Sequence, residues 1–350
     1  MVYPRYIGFV EVKGEVVMKY FLLLVLVITL IGCSSNHSEY TEEQQKQLEN
    51  YHRLKYANND CEKKDSLKAM LVLDYKDAHI ESYCALDIDK EEQGVNKLLD
   101  AGLSIEEVQT FLDIEYMREK NIERYLAYQQ ENTTKSIKDS IVDVNLNLDK
   151  LPYEEITIIE GEDITMLINK YYGFAKGYTP SDLVDIKYTC TIGKEYSCAD
   201  VEQQQLRKPA AQAYEQFVEA AKLEDLDIVA IATYRSYAYQ EGLYMYNLNT
   251  FGQEYADQYY ARPGHSEHNS GLAIDIAFNG HNFNEIEKYE GYEWILENLH
   301  SYGFILRYPK EKERITQYGY ESWHLRYVGK ELATFLYEND LTLDEYHAMK

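Results

Sequence analysis

The stretch SEHNSGLAID, at residues 266–275, decides how the second half of this chain folds. It leads into an apolar run that predicts a buried β-strand. Side chains alternate along a strand, so Leu272 and Ile274 face the core, while Asp275 lies on the opposite side between two alanines. Burying a carboxylate without a partner costs free energy. Asp275 is therefore a candidate metal ligand.

Two histidines can join Asp275 around a metal ion. Gly271 allows a sharp turn that brings His268 back beside Asp275. A second cluster, ESWHLRY, begins at Glu321 and supplies His324. Three protein ligands and an open position are typical of catalytic zinc. Glu321, three residues before His324, is close enough to act as a base on the water at the metal.

Helix and strand patterns surround these motifs from residue 151 onward. Apolar residues recur at helical spacing in residues 210–221, 294–299 and 332–336. The second of these helices is expected to stop at Gly303, and the third is expected to be the last in the chain. Short β-rich runs predict strands at residues 227–233, 272–278, 304–308 and 323–328. Because helices and strands do not alternate regularly, we expect an α+β domain, residues 151–350, with a largely antiparallel sheet and flanking helices.

The part of the chain at residues 34–150 has a different character. Residues 34–50 are polar and rich in Gln and Glu, which predicts a tether. Residues 51–130 predict a small helical region, with a capping box at Ser104 and Glu107 ahead of an amphipathic helix. The stretch that follows, residues 131–150, predicts a linker or an edge strand. We find no catalytic cluster here and expect a spacer or an interaction module.

Residues 1–33 predict export. Lys19 precedes an apolar run at residues 21–31, which is too short to cross a bilayer, since a span takes about 20 apolar residues. This pattern is typical of a secretory signal peptide, and Met18 offers an alternative start. The run ends in LIGC at Cys33, which resembles a bacterial lipobox with Cys33 as the lipidated residue. An ordinary signal peptide is the alternative. We expect an extracytoplasmic lipoprotein anchored to the cell membrane.

Charge and cysteine usage narrow the class of protein. The chain has 60 acidic and 35 basic residues and a net charge of -25, which argues against nucleic acid as a partner. None of its five cysteines forms a CxxC pair, so a thiolate zinc site is not expected. With Cys33 lipidated, four cysteines remain for disulfides in an oxidising compartment. Cys190 with Cys198 and Cys61 with Cys84 are the pairs easiest to form, although sequence leaves the connectivity open.

Three separated motifs resemble one known family. The first is SEHNSGLAID, the second is ESWH at residues 321–324, and the third is YRS at residues 234–236 followed by Gln240. In their order along the chain, which is YRS, SEHNSGLAID and ESWH, they resemble the VanY-type D-alanyl-D-alanine carboxypeptidases and the related L,D-carboxypeptidases. The resemblance covers about residues 154–346 and implies the fold of the zinc D-Ala-D-Ala peptidases.

The resemblance implies zinc ligands at His268, Asp275 and His324, a catalytic base at Glu321, and carboxylate binding by Arg235 and Ser266. The alternatives are a surface salt bridge for Arg235 and a turn cap for Ser266. Tyr234 and Gln240 are candidate site neighbours, with a structural role as the equal alternative. The chemistry of Arg235 agrees with carboxylate binding. A carboxypeptidase must read a free carboxylate, and a guanidinium offers a bidentate fork for that group.

These features predict a zinc-dependent D-alanyl-D-alanine carboxypeptidase, a monomer, that removes the terminal D-alanine from peptidoglycan stem peptides. Two alternatives stay open. One is an L,D-carboxypeptidase acting on tetrapeptide stems, and the other is a non-catalytic wall-binding module of the same fold. Glu321 argues against the second, because binding needs no base. A serine-type peptidase is set aside, because no Ser-x-x-Lys motif has a suitable downstream partner.

Overall fold

A computed structural model describes residues 41, 42, 44, 61–88, 94–190 and 204–350. The signal peptide with Cys33, nearly all of the tether, and Cys198 lie outside these described residues. The chain divides into two compact units, Met1–Leu112 and Asp113–Lys350. The expected start of the carboxypeptidase domain at residue 151 stays a prediction, because packing alone does not say where a functional domain begins.

The first unit is helical where it is described, as the sequence predicts. Its helices are α1 (Lys64–Leu73), α2 (Ile80–Tyr83), α3 (Val95–Asp100) and α4 (Ile105–Leu112), with a 3₁₀ turn at Asp77–His79. The capping box is present, since the Ser104 backbone N–H donates to Glu107 at 2.8 Å and the Glu107 N–H donates to the Ser104 hydroxyl at 3.3 Å. Cys61 and Cys84 form a disulfide. Cys190, in the second unit, is also disulfide-bonded.

The second unit begins with two further helices, α5 (Ile122–Glu131) and α6 (Ile137–Asn145), after a 3₁₀ turn at Glu119–Asn121. The prediction of a linker or edge strand at residues 131–150 is therefore wrong. Ser136 caps α6 by accepting a hydrogen bond from the Asp139 N–H at 3.0 Å, and Ile141 and Val144 are fully buried. The polar start of this segment is a helix cap instead of a loop.

A four-stranded antiparallel sheet forms the centre of this unit. Two short pairs precede it: β1 (Thr157–Ile158) lies parallel to β2 (Tyr172–Gly173), and β3 (Leu183–Asp185) lies antiparallel to β4 (Gln205–Arg207). The main sheet contains β5 (Ile228–Ala232), β6 (Ala273–Phe278), β7 (Phe304–Leu306) and β8 (His324–Tyr327). Their spatial order is β5-β6-β8-β7, which confirms the predicted antiparallel α+β fold.

Helices cover the sheet. They are α7 (Lys208–Ala221), α8 (Tyr237–Phe251), α9 (Gln253–Tyr259), α10 (Tyr292–Asn298), α11 (Glu313–Thr316), α12 (Lys330–Glu338) and α13 (Leu343–Ala348), with 3₁₀ turns at Lys222–Glu224, Glu267–Ser270, Phe283–Lys288 and Leu299–Tyr302. Tyr214 and Phe217 of α7 share one core with the alternate apolar side chains of β6, as the strand pattern predicts. The prediction that the helix at residues 332–336 is the last is wrong, since α13 follows it. No helix in the described ranges combines the length and the apolar character that a membrane crossing needs.

Candidate active site

Two of the predicted metal ligands face each other across neighbouring strands. The antiparallel register of β6 and β8 pairs Asp275 directly with His324. The Oδ1 atom of Asp275 lies 3.0 Å from the Nδ1 atom of His324. Both side chains are buried, and they lie on the face of the sheet that is opposite the core.

The third predicted ligand, His268, reaches this pair by a turn. His268 lies in the 3₁₀ turn Glu267–Ser270, which ends at Gly271 with a φ of 66°. That left-handed conformation favours glycine. The turn brings His268 Nε2 to 3.3 Å from Asp275 Oδ2. The other ring nitrogen lies 2.7 Å from the carbonyl oxygen of Thr233, so Nδ1 carries the proton and the lone pair of Nε2 is available for a metal ion shared with Asp275.

The donor set suits zinc. One nitrogen from each histidine and one carboxylate oxygen of Asp275 lie within 4.8 Å of one another. Nitrogen and oxygen donors in this number are typical of catalytic zinc sites. Asp275 Oδ1 is buried and makes no hydrogen bond with any group in the described part of the chain. Such an orphaned oxygen is expected of an atom that serves as a ligand.

Burial and charge set the protonation of this cluster. Burial lowers the pKa of His268, and the nearby Arg235 guanidinium lowers it further, so the imidazole stays neutral as a ligand must. Burial alone would raise the pKa of Asp275, but His268 and His324 hold it well below its usual range. Burial opposes the charged form of His324 as well, yet the carboxylates around it raise its pKa to about 9, so a metal ion that binds this ring would displace a proton from it. The cluster thus holds a carboxylate that attracts cations strongly.

Glu321, the predicted base, lies beside the cluster and not among the ligands. Its Oε2 atom is 3.5 Å from His324 Nδ1, and its backbone N–H donates to the Tyr308 carbonyl at 3.1 Å. The side chain is partly exposed, so its carboxylate can be reached from solvent. Burial raises the pKa of Glu321 to about 7, which lies in the range that suits a group exchanging protons near neutral pH.

Arg235 lies at the edge of the cluster. It follows the end of β5, and its terminal guanidinium nitrogen is 3.4 Å from Asp275 Oδ2. Its backbone is fixed on both sides: its N–H donates to the His268 carbonyl at 3.2 Å, and its carbonyl accepts from Asn269 Nδ2 at 2.7 Å. A rigid backbone of this kind can hold a carboxylate-binding fork in a fixed position.

The remaining predicted residues lie around this edge with different partners. Ser266 is buried just before the turn that carries His268. Tyr234 points its hydroxyl toward Thr179 at 3.4 Å. Gln240 is buried, and its amide donates to the Ala261 carbonyl at 2.8 Å, so its described contact is with backbone. His265 is buried, with its Nδ1 atom 2.8 Å from the Asn169 carbonyl oxygen.

Sequence reasoning missed a buried charge network behind His324. Glu267 is fully buried, and its Oε1 atom accepts from Arg307 Nε at 2.7 Å and from an Arg326 terminal nitrogen at 2.6 Å. Arg307 also donates to Asp344 at 2.6 Å. The second Glu267 oxygen lies 3.5 Å from His324 Nε2, the ring nitrogen that faces away from Asp275. Two arginines inside predicted apolar strands were the available signal, because buried guanidinium groups need a carboxylate.

The chain is similar to known proteins over the region just described. A family model described as VanY, D-alanyl-D-alanine carboxypeptidase, matches residues 203–330. The provisionally named carboxypeptidase YodJ of Bacillus subtilis (strain 168) is 37% identical over 232 residues, which is 62% of this chain and 81% of YodJ. The bifunctional D-Ala-D-Ala dipeptidase and carboxypeptidase VanXYC of Enterococcus gallinarum is 34% identical over 52% of this chain and 92% of its own length.

One solved structure is similar in both sequence and fold. It is the LdcB LD-carboxypeptidase, described as revealing the molecular basis of peptidoglycan recognition. LdcB is 39% identical, has a TM-score of 0.50, and is matched over 55% of this chain and 92% of its own chain.

The matched family segment contains the His268–Asp275–His324 cluster together with Arg235 and Glu321. Fold, cluster and likeness together define the class of protein as a carboxypeptidase. The chain belongs, more narrowly, to the VanY family of D-alanyl-D-alanine carboxypeptidases.

Proposed function

We propose that this protein is a zinc-dependent carboxypeptidase that removes the terminal D-alanine from peptidoglycan stem peptides. The observation that carries the proposal is the buried His268–Asp275–His324 cluster, with the carboxylate of Glu321 3.5 Å from His324. His268, Asp275 and His324 would hold the ion. When bound, zinc supplies Lewis acidity that polarises the scissile carbonyl and makes water a better nucleophile.

Glu321 would move the proton. Its carboxylate takes a proton from the attacking water and passes it to the amine of the leaving D-alanine. A pKa of about 7, raised by burial, allows the group to accept and release that proton without a large energetic penalty. The Glu321 side chain is partly exposed, and we expect the peptide to approach it from solvent.

Arg235 would fix the end of the substrate. A free terminal carboxylate pairs with its guanidinium, which then presents the last peptide bond to the cluster. The guanidinium already lies 3.4 Å from Asp275 Oδ2, so a carboxylate bound there lies next to the ligands. Ser266 is the second group that we assign to this carboxylate. It is buried directly before the turn that carries His268.

Glu267 would orient His324 and take no part in proton transfer. Its free oxygen lies 3.5 Å from His324 Nε2, and neither atom has a hydrogen-bond partner in the described part of the chain. A carboxylate behind a ligand histidine fixes which ring nitrogen carries the proton. Here it favours a proton on Nε2, which leaves Nδ1 free to face Asp275.

L,D-carboxypeptidase activity is the second candidate, because the similar LdcB structure is named for that activity. The test is a matched pair of stems, a pentapeptide ending in D-Ala-D-Ala and a tetrapeptide ending in one D-alanine after the L-centre. Purified protein is incubated with each stem, with and without a chelator, and products are read by mass. We expect zinc-dependent loss of D-alanine, faster from the pentapeptide. A faster tetrapeptide reaction assigns L,D activity, and an unchanged rate after complete zinc removal contradicts the metal mechanism.

We also propose that the protein acts outside the cytoplasm as a lipid-anchored monomer. The support is the LIGC sequence ending at Cys33. Replacing Cys33 by Ala removes the thiol that would carry the lipid, so the variant should leave the membrane fraction. Retention of Cys33→Ala in that fraction as firmly as the parent contradicts the anchor. Sedimentation of the soluble variant gives the oligomeric state.

A further inference from the structure

Helix α8 buries two amide side chains and exposes several large apolar and aromatic ones. The helix buries Gln240, Tyr244 and Asn247. Its exposed large side chains are Tyr239, Met245, Tyr246 and Phe251. A surface helix normally buries its apolar face. Clustered aromatic exposure of this kind marks a surface that binds something.

The exposed ring of Phe251, at the end of α8, is followed in α9 by the exposed rings of Tyr255 and Tyr259. We call this row of three rings the aromatic ladder. Adjacent ring centroids are 4.7 and 4.9 Å apart. The three residues are 56%, 38% and 46% exposed. Each ring therefore contacts its neighbour and still offers a large part of its surface to a ligand.

The ladder ends at the candidate active site. The Cε1 atom of Tyr259 lies 3.3 Å from the position that a Cβ atom on Gly319 would take, two residues before Glu321. Tyr260, the next residue, is half-buried, and its ring centroid lies 6.3 Å from that of Tyr255. The ladder therefore ends beside the segment that carries Glu321.

The chemistry of the ladder favours a neutral polymer with apolar faces and hydroxyl edges. Aromatic rings bind apolar surface, and tyrosine hydroxyls add hydrogen bonds at the rim. The net charge of -25, with Glu254 at the start of α9, disfavours anionic lipid surfaces and other polyanions. Sugar rings combine flat C–H faces with hydroxyl edges, and they match this surface.

Resting on the proposed function, we propose that the aromatic ladder binds the amino-sugar chain to which the stem peptide is attached. A stem of five residues spans at most about 17 Å when extended, so a stem with its end in the site keeps its sugar close to the protein surface. The ladder would then favour stems attached to glycan over free peptides.

The kinetic test compares two substrates of the same peptide sequence, a free pentapeptide and the disaccharide-linked pentapeptide. Tyr255→Ala removes the central ring, and Tyr337→Ala is the control, because Tyr337 is another exposed tyrosine in a ring pair, with His300, outside the ladder. We expect Tyr255→Ala to raise the KM for the disaccharide-linked stem about fivefold, the worth of one aromatic contact, and to leave kcat and the free-peptide KM unchanged. An equal rise for both substrates, or no rise for either, overturns the proposal.

A binding test separates this proposal from the proposed function. Neutral, peptide-free N-acetylglucosamine oligomers are titrated into the parent protein, Tyr255→Ala and Tyr337→Ala, and affinity is measured by calorimetry. We expect binding to the parent and to the control, weakened about fivefold in Tyr255→Ala. Equal binding by all three proteins, or no binding by the parent, overturns the ladder even if the peptidase is active. Sedimentation of the parent, but not of Tyr255→Ala, with phosphatidylcholine vesicles would assign the surface to lipid instead. If the parent cleaves no stem, the proposed function fails, and the glycan titration still decides the ladder.

Discussion

The floor of the active site and the α8–α9 surface both depart from the usual burial of apolar side chains and exposure of charged ones, but in opposite ways. The floor buries Glu267, Arg307 and Arg326 together with the three candidate ligands. The α8–α9 surface exposes aromatic rings and buries amides. Charged side chains are almost never fully buried without partners, and clustered aromatic rings are seldom left in water. The difference suggests that one region uses rigidity for chemistry, while the other keeps surface available for a ligand.

This comparison predicts that substitutions in the floor have large effects and that substitutions on the surface have small ones. The largest effect is expected for His268→Ala. Removing one of three ligands should reduce zinc affinity by more than the roughly 10- to 100-fold cost of losing a supporting residue, and should abolish turnover. The measurement is zinc content by elemental analysis. His300→Ala, a histidine stacked on Tyr337, is the control and should keep its zinc. Full zinc occupancy in His268→Ala would remove that residue from the ligand set.

The next largest effect is expected for Glu321→Gln. The amide cannot accept the proton of water, so turnover should fall by roughly two to four orders of magnitude. Zinc and fold should be retained, because the side chain lies beside the ligands and is partly exposed. Hydrolysis and zinc content are measured on the same preparation, with the exposed Glu297→Gln as control. Near-parental turnover with zinc bound would move the base to another residue.

Glu267→Gln should have an intermediate effect of a different kind. Arg326 loses its buried counter-charge, which costs about 3–5 kcal/mol of unfolding free energy. The orientation of His324 is also lost, so zinc affinity of the folded protein should fall roughly 10- to 100-fold. Chelator competition gives the affinity, and a denaturant curve gives the stability. Parental zinc affinity in a destabilised but folded variant would reduce Glu267 to a structural role.

The smallest effect is expected for Tyr255→Ala. Its ring is partly exposed, so the free energy of unfolding should change by about 1 kcal/mol or less. By comparison, Phe217→Ala, on the buried face of α7, should lower the free energy of unfolding by about 3–5 kcal/mol. Both values come from denaturant titrations. A cost for Tyr255→Ala as large as that for Phe217→Ala would mean that the α8–α9 surface is part of the core, and the contrast between the two regions would fail.

The sequence predicts the structure best where the spacing of apolar residues along one element is enough to decide it. The alternation along β6 identifies the side of Asp275, and Gly271 identifies the turn to His268. The pairing of Asp275 with His324 could not be predicted, because strand register depends on contacts distant in sequence. Gln240 as a site neighbour stays a prediction, since its described hydrogen bond is to the Ala261 backbone and motif position does not give side-chain direction.

Two other features were hidden for physical reasons. The polar residues around Ser136 match a loop and a helix cap equally well, and burial of Ile141 and Val144 decides for the helix. The sequence places Glu267 directly beside His268 but does not identify its charge partners. The structure directs its carboxylate to two arginines behind His324.

Asp275 and His324 lie on neighbouring strands, so metal binding depends on the correct alignment of β6 with β8. Shifting β8 by one residue along β6 would bring Leu325 or Trp323 opposite Asp275 and turn His324 toward the core. A misaligned chain would then lack a ligand and could not gain the free energy of metal binding, which adds to the stability of the aligned state alone. Zinc supplied during refolding should therefore increase the fraction of molecules in which β8 pairs with β6 in the native register.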